Sequence, residues 1–101
     1  MKPETELQSA IVKSLQQMGV WVIRLNVQSR RGSNVVASGE PGMPDLWTEY
    51  GWLEVKLPDG RLNPDQVVWH ARAKKRGVRV ATVRSTMDAF QAIMKWKLEV
   101  I

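Results

Sequence analysis

The chain has 101 residues, of which 44% are hydrophobic and 25% charged, and this composition predicts one globular domain over residues 1–101 rather than a disordered chain. The absence of cysteine excludes disulfides and thiolate zinc sites, and no apolar run approaches the roughly 18–20 residues that a membrane span needs. The net charge of +5 and the pI of about 10.0 favour a polyanionic partner such as nucleic acid.

The first half of the chain predicts a helix, a strand and a long loop. Apolar residues recur at helical spacing over about Glu6–Met18, and Thr5 with Gln8 fits a capping box at the start of this helix. Alternating side chains predict a strand over Val20–Val27. Residues 28–43 have no period and contain several glycines, so they predict a long loop.

The second half predicts a hairpin, a crossover unit and a final helix. Asn63, Pro64 and Gln66 provide a cap, a first-turn proline and a capping box for a helix that ends near Gly77. Ser85 caps the last helix. The predicted strands are Pro44–Glu49 and Trp52–Leu57, joined at Tyr50-Gly51, and then Val78–Val83. The order α-β-β-β-α-β-α predicts the α/β class, with a small mixed sheet flanked by helices.

The candidate site combines Asp45, which follows a proline, with the triplet Glu54-Val55-Lys56. Side chains alternate faces along a strand, so the glutamate and the lysine share a face. With a hairpin turn at positions 49–50, Asp45 lies opposite Glu54, and with a turn at positions 50–51 it lies opposite Lys56. In both registers the three charged side chains emerge on one face, whereas a slip of one residue would separate them.

Two carboxylates and a lysine on one face suit a bound cation. Mg²⁺ takes oxygen ligands and keeps several waters, so Asp45, Glu54 and the Val55 carbonyl can each supply one oxygen. Such a metal serves phosphodiester hydrolysis by lowering the pKa of a bound water, and Lys56 can orient that water. A cross-strand salt bridge on a solvated sheet face is the alternative interpretation.

Pro-Asp followed by Glu-x-Lys resembles the signature of the PD-(D/E)XK nucleases, and the element order is similar to their restriction-endonuclease-like core. A wider pattern resembles the virus-type replication-repair nuclease (VRR-NUC) family: Gly-Met-Pro-Asp-Leu at 42–46, Glu-Val-Lys at 54–56, Gly-Arg-Leu at 60–62 and then Gln66. The short chain is similar to the stand-alone phage and bacterial members. The resemblance implies metal ligands at Asp45 and Glu54, a catalytic lysine at Lys56, a further acidic ligand at Glu6 and a motif glutamine at Gln66.

The resemblance implies an endodeoxyribonuclease that depends on Mg²⁺ or Mn²⁺. Its implied substrate is branched DNA, most often a Holliday junction, which a homodimer would cut during DNA repair. The methionines and aromatic residues of the last predicted helix make it the expected interface. Two other interpretations remain open, a non-catalytic nucleic-acid-binding module with this fold and a sequence-specific restriction-type endonuclease. Because the N-terminus has no apolar signal core, we expect a cytoplasmic protein. The small size, similar to that of the stand-alone members, implies a bacterial or phage-infected cell.

Basic side chains outside the motif are candidate DNA contacts. Arg30 and Arg31 lie in the predicted loop, where guanidinium groups can bind phosphates bidentately. A second basic cluster lies at the end of the second predicted helix and comprises Arg72, Lys74, Lys75 and Arg76. The helix dipole alone also favours cations there, so both explanations remain open. His70, on the same helix, is interpreted as a bystander because one histidine lacks partners for a metal cluster.

Overall fold

A computed structural model of the chain describes residues 3–25 and 40–99. Its elements are α1 (Pro3–Gln17), β1 (Val22–Arg24), β2 (Leu46–Thr48), β3 (Trp52–Val55), α2 (Pro64–Lys75), β4 (Val80–Val83) and α3 (Thr86–Glu99). The predicted order and the α/β class are therefore confirmed. No helix within these two ranges is long and apolar enough to cross a membrane. Most of the predicted loop 28–43 lies outside them.

The four strands form one mixed sheet in the order β1-β2-β3-β4. β1 and β2 pair antiparallel, as do β2 and β3, whereas β3 and β4 pair parallel across the α2 crossover. Leu46 lies opposite Leu53 in the hairpin, so the two turn residues are at 49–50 and not at 50–51 as the predicted strand ends required. Thr48 fixes this turn, because its Oγ1 accepts hydrogen bonds from the N–H groups of Tyr50 (3.1 Å) and Gly51 (3.0 Å).

The two faces of the sheet carry different kinds of side chain. One face packs against α1 and α3 and forms the apolar core, which comprises Ile11, Leu15, Val20, Leu46, Leu53, Val55, Val83, Ala89, Ile93 and Trp96. The other face of β3 carries Trp52 and Glu54, and it lies against α2. The chain therefore separates a continuous apolar layer from a layer that holds polar and aromatic side chains.

The first helix differs from its prediction. It begins at Pro3 and not at Glu6, so Thr5 lies inside the helix and is not its cap. A proline at the start of a helix is favourable because the first N–H groups have no partner within the helix. The Gln8 side chain, predicted as part of a capping box, is buried and accepts hydrogen bonds from Arg24 Nε (3.1 Å) and Nη2 (2.8 Å).

The predicted starts of the other two helices are confirmed. Asn63 Oδ1 accepts from the Gln66 N–H and Gln66 Oε1 accepts from the Asn63 N–H, both at 2.9 Å, which is a complete capping box for α2. At α3 the Ser85 Oγ accepts from the Asp88 N–H at 3.0 Å. The capping box fixes where α2 begins, and α2 begins beside the predicted site.

A glycine fixes the approach of the predicted motif to α2. Gly42 has a φ of +85°, and a Cβ at this position would fall on the backbone carbonyl of Asp65 in the first turn of α2. Gly19 has a nearly identical φ of +84°, but a Cβ there would meet nothing within 4 Å. The two glycines thus share a backbone conformation and differ in the space around them.

We expect Gly42→Ala to lower the free energy of unfolding by about 3 kcal/mol or more, because strain and a backbone clash add. Gly19→Ala should cost only about 1–2 kcal/mol, from the left-handed conformation alone. Urea denaturation of both variants measures the difference. An equal decrease in the free energy of unfolding in both variants would show that the backbone around Gly42 shifts to accommodate the added Cβ at no energetic cost.

Candidate active site

The centre of the candidate site is a buried carboxyl group. Glu54 lies on β3 with 1% of its surface exposed. Its Oε2 accepts a hydrogen bond from Gln66 Nε2 on α2 at 3.2 Å. Its Oε1 has no hydrogen-bond partner among the described residues. A buried carboxyl oxygen without a donor is costly, so this atom marks a position suited to a ligand.

Asp45 is held next to this group by the sheet. In the observed register the strand positions of Asp45 and Glu54 are opposite each other, which is the first of the two predicted arrangements. Asp45 Oδ2 accepts from the Val55 N–H at 2.8 Å, and its backbone carbonyl accepts from the Leu25 N–H at 2.8 Å. Two strands therefore fix both the side chain and the backbone of the aspartate.

The surroundings of Glu54 disfavour its ionised form, because the negative charge near it outweighs the positive charge. Burial, a hydrogen bond with Asp45 and the charges of Asp45 and Glu4 raise the pKa of Glu54 from 4.5 to about 9, against an opposing contribution from Lys56. Glu54 is therefore protonated at neutral pH in the metal-free protein. A cation at this position would favour the ionised form.

Lys56 lies close enough to act on both Glu54 and His70, since its charge lowers the pKa of each. It follows directly after β3, and its N–H donates to the Val83 carbonyl at 3.1 Å. The turn after it is held by Arg84, whose Nη1 donates to the carbonyls of Leu57 (2.7 Å) and Gly60 (2.6 Å). The lysine is thus anchored on a segment tied to β4.

His70, which the sequence indicated as a bystander, lies against Glu54. Its Nε2 lies 3.7 Å from Glu54 Oε1, and both side chains are almost fully buried. Burial and the charges of Lys74 and Lys56 lower the pKa of His70 from 6.5, so the ring is neutral at neutral pH and the pair is not a salt bridge. The sequence did contain a signal for this contact, because Gln66 and His70 are four positions apart and therefore reach Glu54 from successive turns of α2.

Glu4 is the acid of α1 whose charge acts on Glu54, while the predicted role of Glu6 stays a prediction. The charge of Glu4 contributes to the raised pKa of Glu54, whereas that of Glu6 does not. Glu4 lies one turn before the buried Gln8 and is itself exposed. Glu6 is also exposed and lies about 200° further around the helix.

The structure describes four of the six basic residues predicted to contact DNA. Arg72 forms an ion pair with Glu40 at 3.2 Å in which both side chains are more than half exposed. Lys74, Lys75 and Arg76 are exposed at the end of α2, with Arg76 as its C-cap. Arg30 and Arg31 lie outside the described residues.

The donor set suits a hard divalent cation that keeps some of its waters. Within residues 3–25 and 40–99, no three His, Asp or Glu side chains are grouped as a preformed metal cage. Asp45 and Glu54 are two adjacent carboxylates, one with a free buried oxygen, and Glu4 adds negative charge. Mg²⁺ is bound in this manner, by one or two carboxylates together with water and substrate phosphate.

A search of solved structures finds a chain described as "VRR_NUC domain", with a TM-score of 0.69 and 24% identity. The alignment covers 93% of this chain and 97% of that one. No family model matches the sequence, and no curated protein matches it. At this identity the likeness establishes the fold, which is a nuclease-type fold and the one that the sequence motif predicted.

Replacing Glu54 by glutamine should change how stability depends on pH. The pKa of the Glu54 carboxyl group is about 9 in the folded chain and 4.5 in the unfolded chain, so the folded chain binds its proton more tightly. The stability of the wild type therefore falls as the pH rises from 4.5 to 9. In the presence of chelator, Glu54→Gln should match the wild type near pH 4.5 and become more stable than it towards pH 9. The gap should grow by at most about 1.4 kcal/mol per pH unit.

Urea denaturation at successive pH values measures this gap, with Glu6→Gln as the control because Glu6 is exposed on the same protein. The control should follow the wild type throughout. Parallel profiles for Glu54→Gln and the wild type would show that Glu54 is ionised in the metal-free protein.

Proposed function

We propose that this chain is a metal-dependent endonuclease that hydrolyses DNA phosphodiester bonds. The observation that carries the proposal is the buried Glu54, whose Oε1 lacks a donor while Asp45 and Glu4 surround it with negative charge. A structural salt bridge does not explain this arrangement, because in such a pair the buried charge would be compensated. The nuclease-type fold supports the same conclusion.

Asp45 and Glu54 would hold Mg²⁺ or Mn²⁺, with the Val55 carbonyl as a further oxygen ligand and Glu4 adding negative charge from α1. When bound, such a metal stabilises charge on the phosphate and lowers the pKa of a coordinated water. Lys56 would orient the attacking water or neutralise developing charge, since its own charge acts on Glu54. Gln66 holds Glu54 through its hydrogen bond and thereby fixes the direction of the free oxygen.

The proposed substrate is branched DNA, most specifically a Holliday junction cut by a homodimer. The net charge of +5 and the exposed basic end of α2 support binding to a phosphate backbone. The homodimer is supported by α3, which packs one side on the core while its other side exposes the stripe Met87, Phe90, Met94 and Leu98. A twofold dimer would present two equivalent sites, as paired cuts in a four-way junction require.

Lys56→Ala should lower the cleavage rate by about 100-fold or more, because a positioned charge at a phosphoryl centre is lost. The measurement compares wild type and variant on a labelled four-way junction, a flap, a linear duplex and a single strand, each with Mg²⁺, Mn²⁺ or chelator. The wild type should make paired cuts in the junction that chelator abolishes, and sedimentation should give a dimer.

The same assay separates the parts of the proposal. Metal-dependent cutting of every substrate would leave a nuclease without junction preference. DNA binding that is indifferent to chelator and to Lys56→Ala, with no cutting, would indicate a non-catalytic binding module. Cutting of linear duplex at fixed sites would indicate a restriction-type enzyme.

Glu4 and Glu6 provide a matched test of which acid serves the site. Glu4→Gln should lower the rate at limiting Mg²⁺ by about 10- to 100-fold, as loss of a group that supports a metal does. Glu6→Gln should change it by no more than about twofold, because the charge of Glu6 is not among those that shift the pKa of Glu54. Titration of the rate with Mg²⁺ measures both variants, and the reverse order would restore Glu6 as the ligand.

A further inference from the structure

A groove of about 400 Å³ lies beside the candidate active site, on the face of the sheet that α2 covers. Two tryptophans and two arginines dominate its lining: Trp52, Trp69, Arg72 and Arg76. The volume falls in the range of small-ligand pockets, which is about 300–1,000 Å³. The catalytic proposal does not use this groove, and its aromatic and basic lining requires a separate explanation.

The groove and the carboxylates are connected through the same two elements. Trp52 precedes Glu54 by two positions on one face of β3, a distance of about 7 Å along the strand. Trp69 directly precedes His70 on α2, and the His70 ring contacts Glu54. A nucleic-acid strand with a phosphate at the carboxylates would therefore have an adjacent nucleotide within reach of the groove.

The tryptophans give the groove an aromatic corner. Their ring centroids are 5.4 Å apart and their planes meet at 66°, an edge-to-face arrangement. Both side chains are only half-buried, and neither belongs to the apolar core that α1 and α3 form with the sheet. A flat, uncharged ring that packs into this corner would cover the apolar surface left exposed there.

The arginines add positive charge one helical turn apart. Arg72 and Arg76 lie on the same face of α2, so both reach the groove. Glu40 also lines it and pairs with Arg72, but both side chains are more than half exposed and such a surface pair contributes little to stability. A phosphate can replace this carboxylate, because guanidinium groups bind both anions in the same bidentate manner.

We propose that this groove is a subsite for one unpaired nucleotide of the substrate, with its base in the Trp52–Trp69 corner and its phosphate on Arg72 and Arg76. The proposal rests on the proposed nuclease function, since the strand is placed by its cleaved phosphate. Aromatic stacking combined with basic side chains is the way in which proteins bind single-stranded nucleic acid without reading its sequence. At a four-way junction this nucleotide would be a base that unpairs at the branch point, next to the cut.

The test measures binding of labelled flap DNA in chelator, so that no cleavage interferes. A single abasic residue is moved stepwise along the unpaired strand near the branch. In the wild type, one position should weaken binding by about 5- to 100-fold, the range for loss of one stacked base. Trp69→Leu should bind intact and abasic DNA equally at that position.

Arg76→Ala should weaken binding to all these probes while keeping the effect of the abasic residue. It also serves as a second variant if Trp69→Leu fails to fold, since Arg76 is exposed at the end of α2. Lys95→Ala is the charge-matched control, because Lys95 is exposed on α3 and does not line the groove. It should weaken binding less than Arg76→Ala does.

The outcomes distinguish failure of the nucleotide subsite from failure of the proposed nuclease function. If no abasic position matters while the wild type still cuts DNA with metal, the subsite is overturned and the nuclease stands. If Arg76→Ala and Lys95→Ala weaken binding equally, the phosphate contact is overturned, because general charge then explains the affinity. If the wild type neither binds nor cuts DNA, both proposals fail.

Discussion

A carboxyl group buried in the sheet is the constraint on which the rest of the structure depends. At the position of Glu54, burial would ordinarily favour an apolar residue, since only 1% of the surface of this residue is exposed. The group is retained only because Gln66 donates to one oxygen and Asp45 lies beside it. Both the register of the hairpin and the docking of α2 must be correct for these two contacts to form.

The face of the sheet opposite Glu54 contains the apolar core and provides most of the stability of the fold. The apolar residues of α1 and α3 form one continuous cluster with β2, β3 and β4. The face under α2 instead holds a buried glutamate and a buried histidine, which is a poor way to stabilise a domain of this size. Such a division is expected when one layer is selected for stability and the other for chemistry.

Most of the fold could be predicted because its signals are local. The helix caps at Asn63 and Ser85 depend on residues within one turn, and the hairpin depends on alternation over a few positions. The prediction that was wrong, the capping box of the first helix, depended on a contact between residues distant in the sequence. Gln8 looked like a capping residue because its true partner, Arg24, is sixteen positions away.

The same limit applies to the candidate site. The carboxylates on the hairpin were predicted because strand alternation places them together in either register. Which acid of α1 acts on Glu54 depends on how α1 packs against the sheet, and no local pattern gives this packing. The contact of His70 with Glu54 required the docking of α2 onto the sheet, which joins positions sixteen apart.

Helix α2 links the two proposals physically. Its first two turns place Gln66 and His70 against the buried carboxyl group, while its later turns present Arg72 and Arg76 to the groove. A helix is stiff over this length, so a strand bound in the groove and a phosphate at the carboxylates are held in a fixed relation. The capping box at Asn63 sets where that helix begins and therefore sets this relation. Specificity for the shape of the substrate would then arise from the spacing between two sites on one element, without contacts to base edges.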